Sequence, residues 1–231
     1  MIGSIDRLVN QQILKWEEER RIAERGGQGV TSDTQQPMIC VSREFGASGA
    51  ELGRQLSERM NFRFYSQELI HFVAEQSHVR DKVVESLDER VRAGITRRVG
   101  ELLQGNGFAE SDYLRNLSKV VVTLARHGRG VIMGRGAHFI LDPELTLRVR
   151  IIAPLELRVE RVTKKYDLPE SVAREKILRI DGERVAFNRK HYAADIRDPR
   201  NYDLVLNTGS LPVETCVSLI ATAFRAHFSD A

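Results

Sequence analysis

Residues 41–56, VSREFGASGAELGRQL, run a short apolar strand pattern through glycines at 46, 49 and 53 and directly into a helical pattern. A strand that turns this tightly into a helix leaves the backbone N–H groups of the turn and of the first helical turn pointing outward together. The helix dipole adds a field that favours an anion there. Phosphate oxygens are the natural guest, so Gly46, Ala47, Ser48, Gly49, Ala50, Glu51, Leu52 and Gly53 are read as a phosphate-binding turn, with Arg43 and Arg54 the nearest cations. The bland alternative is a tight packed turn that needs glycine only for its backbone freedom.

The chain beyond this turn sets the fold class. From Met38 onward, short apolar runs alternate with longer helical segments, and MICVS (38–42), FRFY (62–65), VIM (131–133), LRVRIIA (147–153) and YDLVLN (202–207) read as strands. Strands joined by helical crossovers imply an α/β protein: a five-stranded parallel sheet between two helical layers. Residues 67–127 are mostly helical in pattern, interrupted at GNG (105–107), and too long for one crossover, so a helical lobe over the sheet is expected. A last helix starts at Pro212, with Glu214 in its first turn and an apolar face of Val213, Cys216, Val217, Ile220 and Phe224. Upstream, residues 5–24 read as an amphipathic helix with Ile5, Leu8, Val9, Ile13, Leu14 and Trp16 along one side, and residues 25–37 as a polar linker. The expected division is an N-terminal helix (1–24), a linker (25–37) and one domain (38–231). The helix either packs on its own domain or serves as a homo-oligomer or partner contact.

Composition removes several classes of function. The 231 residues are 42% hydrophobic and 29% charged, and no apolar run approaches the ~18 residues of a membrane span. The opening segment has neither the apolar core nor the cleavage site of a secretory signal, so the cytoplasm is the expected compartment and no membrane partner is expected. A net charge of +3 comes from scattered arginines; an anionic small molecule accounts for it as well as nucleic acid, which is not demanded. Cys40 and Cys216 have no CxxC spacing and read as buried thiols. The histidines share no HxxxH or HExxH spacing, so no metal-ligating residue is named. No serine stands in a G-x-S-x-G elbow.

The turn departs from both common nucleotide fingerprints. Against G-x-x-x-x-G-K-[ST] counted from Gly46, the places of Gly, Lys and Ser/Thr hold Glu51, Leu52 and Gly53. Counting from Ser48 puts Gly53 and Arg54 in the glycine and lysine places but loses the first glycine and the metal-binding hydroxyl. The glycine spacing also misses G-x-G-x-x-G.

The strand ending VSRE followed by a lysine-less glycine turn, FYSQELI (64–70), VIMGRGAHFIL (131–141), LRVRIIAPLELRVERV (147–162), DGER (181–184) and YDLVLNTGSLPVE (202–214) together resemble the cytidylate kinase-like family of P-loop proteins over about residues 37–228. The resemblance implies a P-loop, a helical lobe for a nucleoside monophosphate and an arginine-bearing lid. It implies ATP-dependent phosphoryl transfer, most naturally to CMP or dCMP, with ATP and Mg²⁺ as cofactors and a small-molecule nucleotide as partner. Residues 46–54 would hold the ATP phosphates, with Arg43 or Arg54 replacing the lysine. Arg135, Asp181, Arg184 and Ser66 would face the acceptor, and Arg184, Arg158 and Arg161 would steady the transferred charge. Against the family pattern Gly136, Met133 and Ser66 stand in places of acids. A nucleotide-binding regulatory module without turnover, and a phosphotransferase with another small acceptor, are therefore kept as alternatives.

Overall fold

The computed structural model describes residues 35–87, 89–105 and 111–228, together with Gln11, Leu14, Trp16 and Glu18. Most of the expected N-terminal helix and linker, and most of the GNG interruption, lie outside the described residues.

The expected alternation is present. β1 (Met38–Arg43) leads through the glycine turn into α1 (Gly49–Met60), and β2 (Arg63–Tyr65) comes after it. A lobe of four helices is next: α2 (Gln67–Glu75), α3 (Ser77–Glu85), α4 (Glu89–Gly105) and α5 (Asp112–Arg126). β3 (Gly130–Met133), the short α6 (Ala137–Ile140) and β4 (Thr146–Ile152) return to the sheet. The hairpin of α7 (Leu155–Tyr166) and α8 (Glu170–Tyr192) precedes β5 (Leu204–Asn207) and α9 (Val213–His227). Pro212 stands just before the last helix as its N-cap, one place earlier than expected.

All strand pairs are parallel, in the order β2-β3-β1-β4-β5. The period of two in β1 divides the core. Met38 and Cys40 face the lobe with Ile132 and Leu124, whereas Ile39 and Val41 face α1 and α9 with Leu52, Leu56 and Phe224. Local chemistry sets the helix ends: the Ser66 and Ser111 side chains cap α2 and α5 by accepting from Leu69 N and Leu114 N, and α1 stops at Asn61 in the left-handed region. Because the sequence-adjacent strand of β1 lies beyond β3 while β4 lies on the other side, the chain leaves a crevice at the carboxyl end of β1.

Two features of the N-terminal part differ from expectation. Leu14 and Trp16 are expected on one side of the helix, but Leu14 is 63% exposed and Trp16 3% exposed. Residues two apart lie about 200° apart around a helix, so both cannot face one surface. Trp16 packs into the lobe core, its ring stacked on His127 at 4.0 Å and 5°. The end of the expected linker is bonded into the domain: Gln36 N donates to Ala125 O, and the Gln35 amide bridges Thr146 Oγ1 and Asp142 N. Trp16→Ala is expected to lower stability by about 3 kcal/mol and Leu14→Ala to change it by under about 0.5 kcal/mol, read from urea unfolding; equal effects would reverse the assignment.

Candidate functional site

A cleft of about 460 Å³ opens at the carboxyl ends of β1 and β3, lined among others by Arg43, Phe45, Glu68, Arg135, Arg184 and Asn188. The glycine turn adjoins it through Arg43, which lines the cleft and packs over Gly49. Gly46 is left-handed (φ 83°), and Ser48 at the N-cap of α1 is also left-handed (φ 56°) and makes no side-chain cap. Phe45 N donates to Asp181 Oδ1 at 2.8 Å, and Leu52 N begins the helical bonding by donating to Ser48 O. Among the described residues the amides of Ser48, Gly49, Ala50 and Glu51 have no protein acceptor, the expected state of a helix start open to an anion.

The turn's glycines are closely packed. A Cβ on Gly49 would lie 2.7 Å from Arg43 Cβ, one on Gly46 3.0 Å from Arg158 Cβ, and one on Gly53 2.7 Å from Met133 Sδ and 2.9 Å from Phe64. Ala47 and Leu52 are fully buried, with Ala47 O accepting from Thr208 Oγ1, and exposed Glu51 bonds to Gln55. The left-handed turn is thus held from α7, β3 and the end of β1.

The arginines separate into two groups. Arg43 lies along Gly49 and reaches Gly134, where a Cβ would overlap its guanidinium. Burial draws its pKa down to about 9; Arg184, Arg135 and Arg150 push the same way, and Glu68 opposes them. Arg184, on α8, is also lowered, by burial first and by Arg150 and Arg135, with Asp181 opposing; its Nη1 donates to Arg43 O at 2.9 Å. Arg135 stands left-handed (φ 54°) between Gly134 and Gly136, with its guanidinium 5.2 Å over the Phe187 ring. The Nε atoms of Arg135 and Arg184 and Asn188 Oδ1 are buried without a hydrogen-bond partner. Burial works to raise the Glu68 carboxyl, yet hydrogen bonds from its own amide and Ser66, with Arg43 and Arg135 nearby, hold it below the usual range. Burial is the main cause of both arginine shifts; the neighbouring arginines add to it, and Glu68 and Asp181 offset it only in part.

The second group is bonded to protein acceptors. Buried Arg158 donates to Ala153 O at 2.9 Å, Phe45 O at 3.2 Å and Asp181 at 2.6 Å, with Glu44 3.5 Å away. Arg161 instead holds Thr208 O and Oγ1. Arg158 thus meets the turn directly at Phe45, and Arg161 at one remove, through Thr208, whose Oγ1 donates to Ala47 O. Asp181 is likewise held by Phe45 N, Arg158 and Arg184 rather than open to an acceptor. Arg54 lies in the second turn of α1, exposed, 5.8 Å over Phe64, so of the two candidates for the missing lysine only Arg43 lies in the cleft. Ser66 caps α2.

Sequence reasoning misses Arg150, Glu68, His138, Phe187, Asn188 and Tyr192. Arg150 is legible in principle: it stands within an apolar strand run, and it is 6% exposed, donating to Ser42 Oγ at 2.8 Å beneath the cleft. The others sit on helices whose facing only the packing decides.

An all-parallel sheet whose first strand turns through glycines into an open helix start, beside a cleft lined by arginines at the strand ends, defines an α/β protein of the strand–turn–helix kind. More narrowly, the chain belongs to the cytidylate kinase-like family, whose model matches residues 38–210. It is 28% identical over 196 residues to a cytidylate kinase of Methanothrix thermoacetophila, covering 82% of this chain and 98% of that one. To the cytidylate kinase of Methanocaldococcus jannaschii it is 31% identical, over 44% of this chain and 59% of that one. A uronate isomerase of Corynebacterium glutamicum matches at 30% identity over 78% of this chain and 35% of its own length. The chain thus spans from about a third to under two thirds of these last two relatives. A crystal structure of an uncharacterized protein from Eubacterium ventriosum shares the fold with TM-score 0.59 at 21% identity, covering 83% of this chain and 99% of that one.

ATP phosphates suit the free amides and arginines. Magnesium finds less: among the described residues no group of three or more His, Cys, Asp or Glu could hold a metal, and Asp181, Glu44 and Glu68 each face arginines. No described helix is long and apolar enough to cross a membrane.

His138 supplies a pH handle. Its Nε2 is buried without a partner, and burial, with Arg148 and Arg150 adding and Asp203 opposing, lowers its pKa to about 3. Between about 3 and the usual ~6.5 the unfolded chain binds the extra proton, so this contribution is intact above ~6.5 and lost as pH falls, by about 1.4 kcal/mol per pH unit. Urea unfolding of His138→Gln between pH 6 and 4 is expected to show a shallower fall than the parent; an equal slope would place the proton uptake elsewhere.

Proposed function

We propose that this protein transfers the γ-phosphoryl group of ATP to a nucleoside monophosphate, with CMP or dCMP the first candidates. The observation that carries this is the set of arginines, 43, 135 and 184, with unpartnered Nε atoms on two of them, gathered beside the open amides of the turn. The amides of Ser48 to Glu51 would hold the donor phosphates at the α1 dipole. Arg43 and Arg184 would neutralise charge on the transferred group, and Arg135, with Arg184 beside it, would hold the acceptor phosphate.

In the step, an acceptor phosphate oxygen forms a bond to the γ-phosphorus as the bond to the β–γ bridging oxygen breaks, leaving ADP and the diphosphate. An acceptor phosphate is already ionised at neutral pH, so no general base is required. That suits a cleft whose carboxylates are tied up by arginine, and Glu68, held below the usual range, is a weak base. A hydroxyl acceptor would call for a base, which argues against the alternative of another small acceptor. The alternative of a binding module without turnover draws on buried Leu52 in the lysine place and on Met133, Gly136 and Ser66 in places of acids, of which Ser66 caps α2 and the space beside Gly136 is filled by the Tyr192 ring.

ADP formation from ATP with each nucleoside monophosphate in turn tests the proposal. Stimulation by CMP or dCMP is expected; saturable ATP binding without acceptor-dependent ADP would favour the binding module. Arg43→Met is expected to weaken ATP binding at least ~10-fold, as loss of a charge-assisted contact implies, and Arg54→Met to leave it within about twofold. Calorimetric titration measures both, and the reverse order would return the lysine's role to Arg54.

A further inference from the structure

The residues 134–136 form an unusual piece of backbone. Gly134 (φ 74°), Arg135 (φ 54°) and Gly136 (φ 64°) are all left-handed, and only Arg135 carries a side chain that disfavours this conformation. Such backbone persists where its surroundings fix it. Gly134 N donates to Val41 O at 3.0 Å, which holds the entry to the loop against β1. The carbonyl of Arg135 accepts from Tyr192 Oη at 2.6 Å. Tyr192 is the last residue of α8 and 4% exposed, and its ring fills the space a Cβ on Gly136 would need. Phe139 stacks on the same ring at 5.0 Å.

The side chain of Arg135 is held by the same helix. Phe187, about one and a half turns before Tyr192 on α8, lies under its guanidinium at 5.2 Å, and Arg184 stands about one turn before Phe187. One rigid helix thus grips Arg135 by its carbonyl and by its guanidinium face, and also carries the second arginine of the cleft. Arg135 Nε remains buried and unpartnered.

We propose that Tyr192 is a positioning residue of the anion site: its hydroxyl fixes the Arg135–Gly136 peptide, and with Phe187 it sets the Arg135 guanidinium at the height where it and Arg184 together hold the acceptor's phosphate. That last assignment rests on the phosphoryl-transfer proposal above; the positioning of Arg135 toward an anion does not. Without the hydroxyl the left-handed peptide loses its restraint, and the guanidinium spreads over orientations that do not bind.

A double-mutant cycle on the full chain tests this, with affinities for CMP, ATP and inorganic pyrophosphate from calorimetry and unfolding followed in parallel. Tyr192→Phe removes only the hydroxyl. It is expected to weaken CMP binding about 5- to 10-fold while ATP binding stays within about twofold, and to raise KM for the acceptor more than it lowers kcat. Arg135→Ala is expected to weaken CMP binding at least as much, and Tyr192→Phe/Arg135→Ala to bind no more weakly than Arg135→Ala alone. Additive losses, or equal weakening of CMP and ATP with a matching fall in stability, would make Tyr192 a packing residue and overturn the proposal. Should wild-type protein bind no nucleoside monophosphate, the acceptor assignment fails, and pyrophosphate then decides the remainder. The same non-additivity for pyrophosphate supports positioning of Arg135, and pyrophosphate affinity unchanged by either substitution overturns it.

Discussion

The site depends on the ion pair between Arg158 and Asp181. A buried guanidinium is costly unless its donors are met, and Arg158 meets them with Ala153 O, Phe45 O and the Asp181 carboxylate, with Glu44 nearby. Asp181 in turn accepts Phe45 N. The pair therefore clasps both sides of one residue of the glycine turn and ties it to α7 and α8 at once. Its value lies in conformation more than in stability: with Phe45 pinned and Gly46 seated on the Arg158 stem, the chain is steered so that the following amides face outward.

Around that anchor the charge is left unbalanced, in the sense that favours an anionic ligand. Arg43 and Arg184 lose basicity first through burial; Arg184 adds to the loss at Arg43, and Arg150 beneath and Arg135 across add to it at both. Depressed arginine pKa values mean that the folded protein holds these cations at an electrostatic cost. An anion in the cleft relieves that cost, so ligand binding and stability are linked. The same imbalance speaks to choice of ligand, since a neutral sugar would leave the repulsion where it was.

The sequence is legible where period and turn chemistry speak locally. The strands, the glycine turn and the closing helix follow from apolar runs and punctuation, and the ordered motifs carry the family. Side-chain direction is less legible. Arg158 and Arg161 sit three apart on α7, yet one bonds Phe45 O directly and the other bonds Thr208, whose Oγ1 in turn donates to Ala47 O of the turn. Leu14 and Trp16 group together by composition where helical angle separates them. The resemblance sets Asp181 with Arg184 toward the acceptor, and only the tertiary packing brings Phe45 N and Arg158 to it.

The absent lysine has a structural explanation in the same terms. The place where the P-loop pattern puts lysine holds Leu52, which is fully buried against Ile39, Val41 and Phe224 on the core side of α1. A cation there would face the core, so the charge must come from another element. In the phosphoryl-transfer proposal Arg43 would supply it from the end of β1; its stem runs over Gly49, where any side chain would collide with it. Its guanidinium consequently rests beside Gly134 rather than over the helix start, and lies between the open amides and Arg135. In that proposal, moving the charge from helix to strand end would shift it toward the junction of donor and acceptor, which is where charge develops when a phosphoryl group passes between two anions.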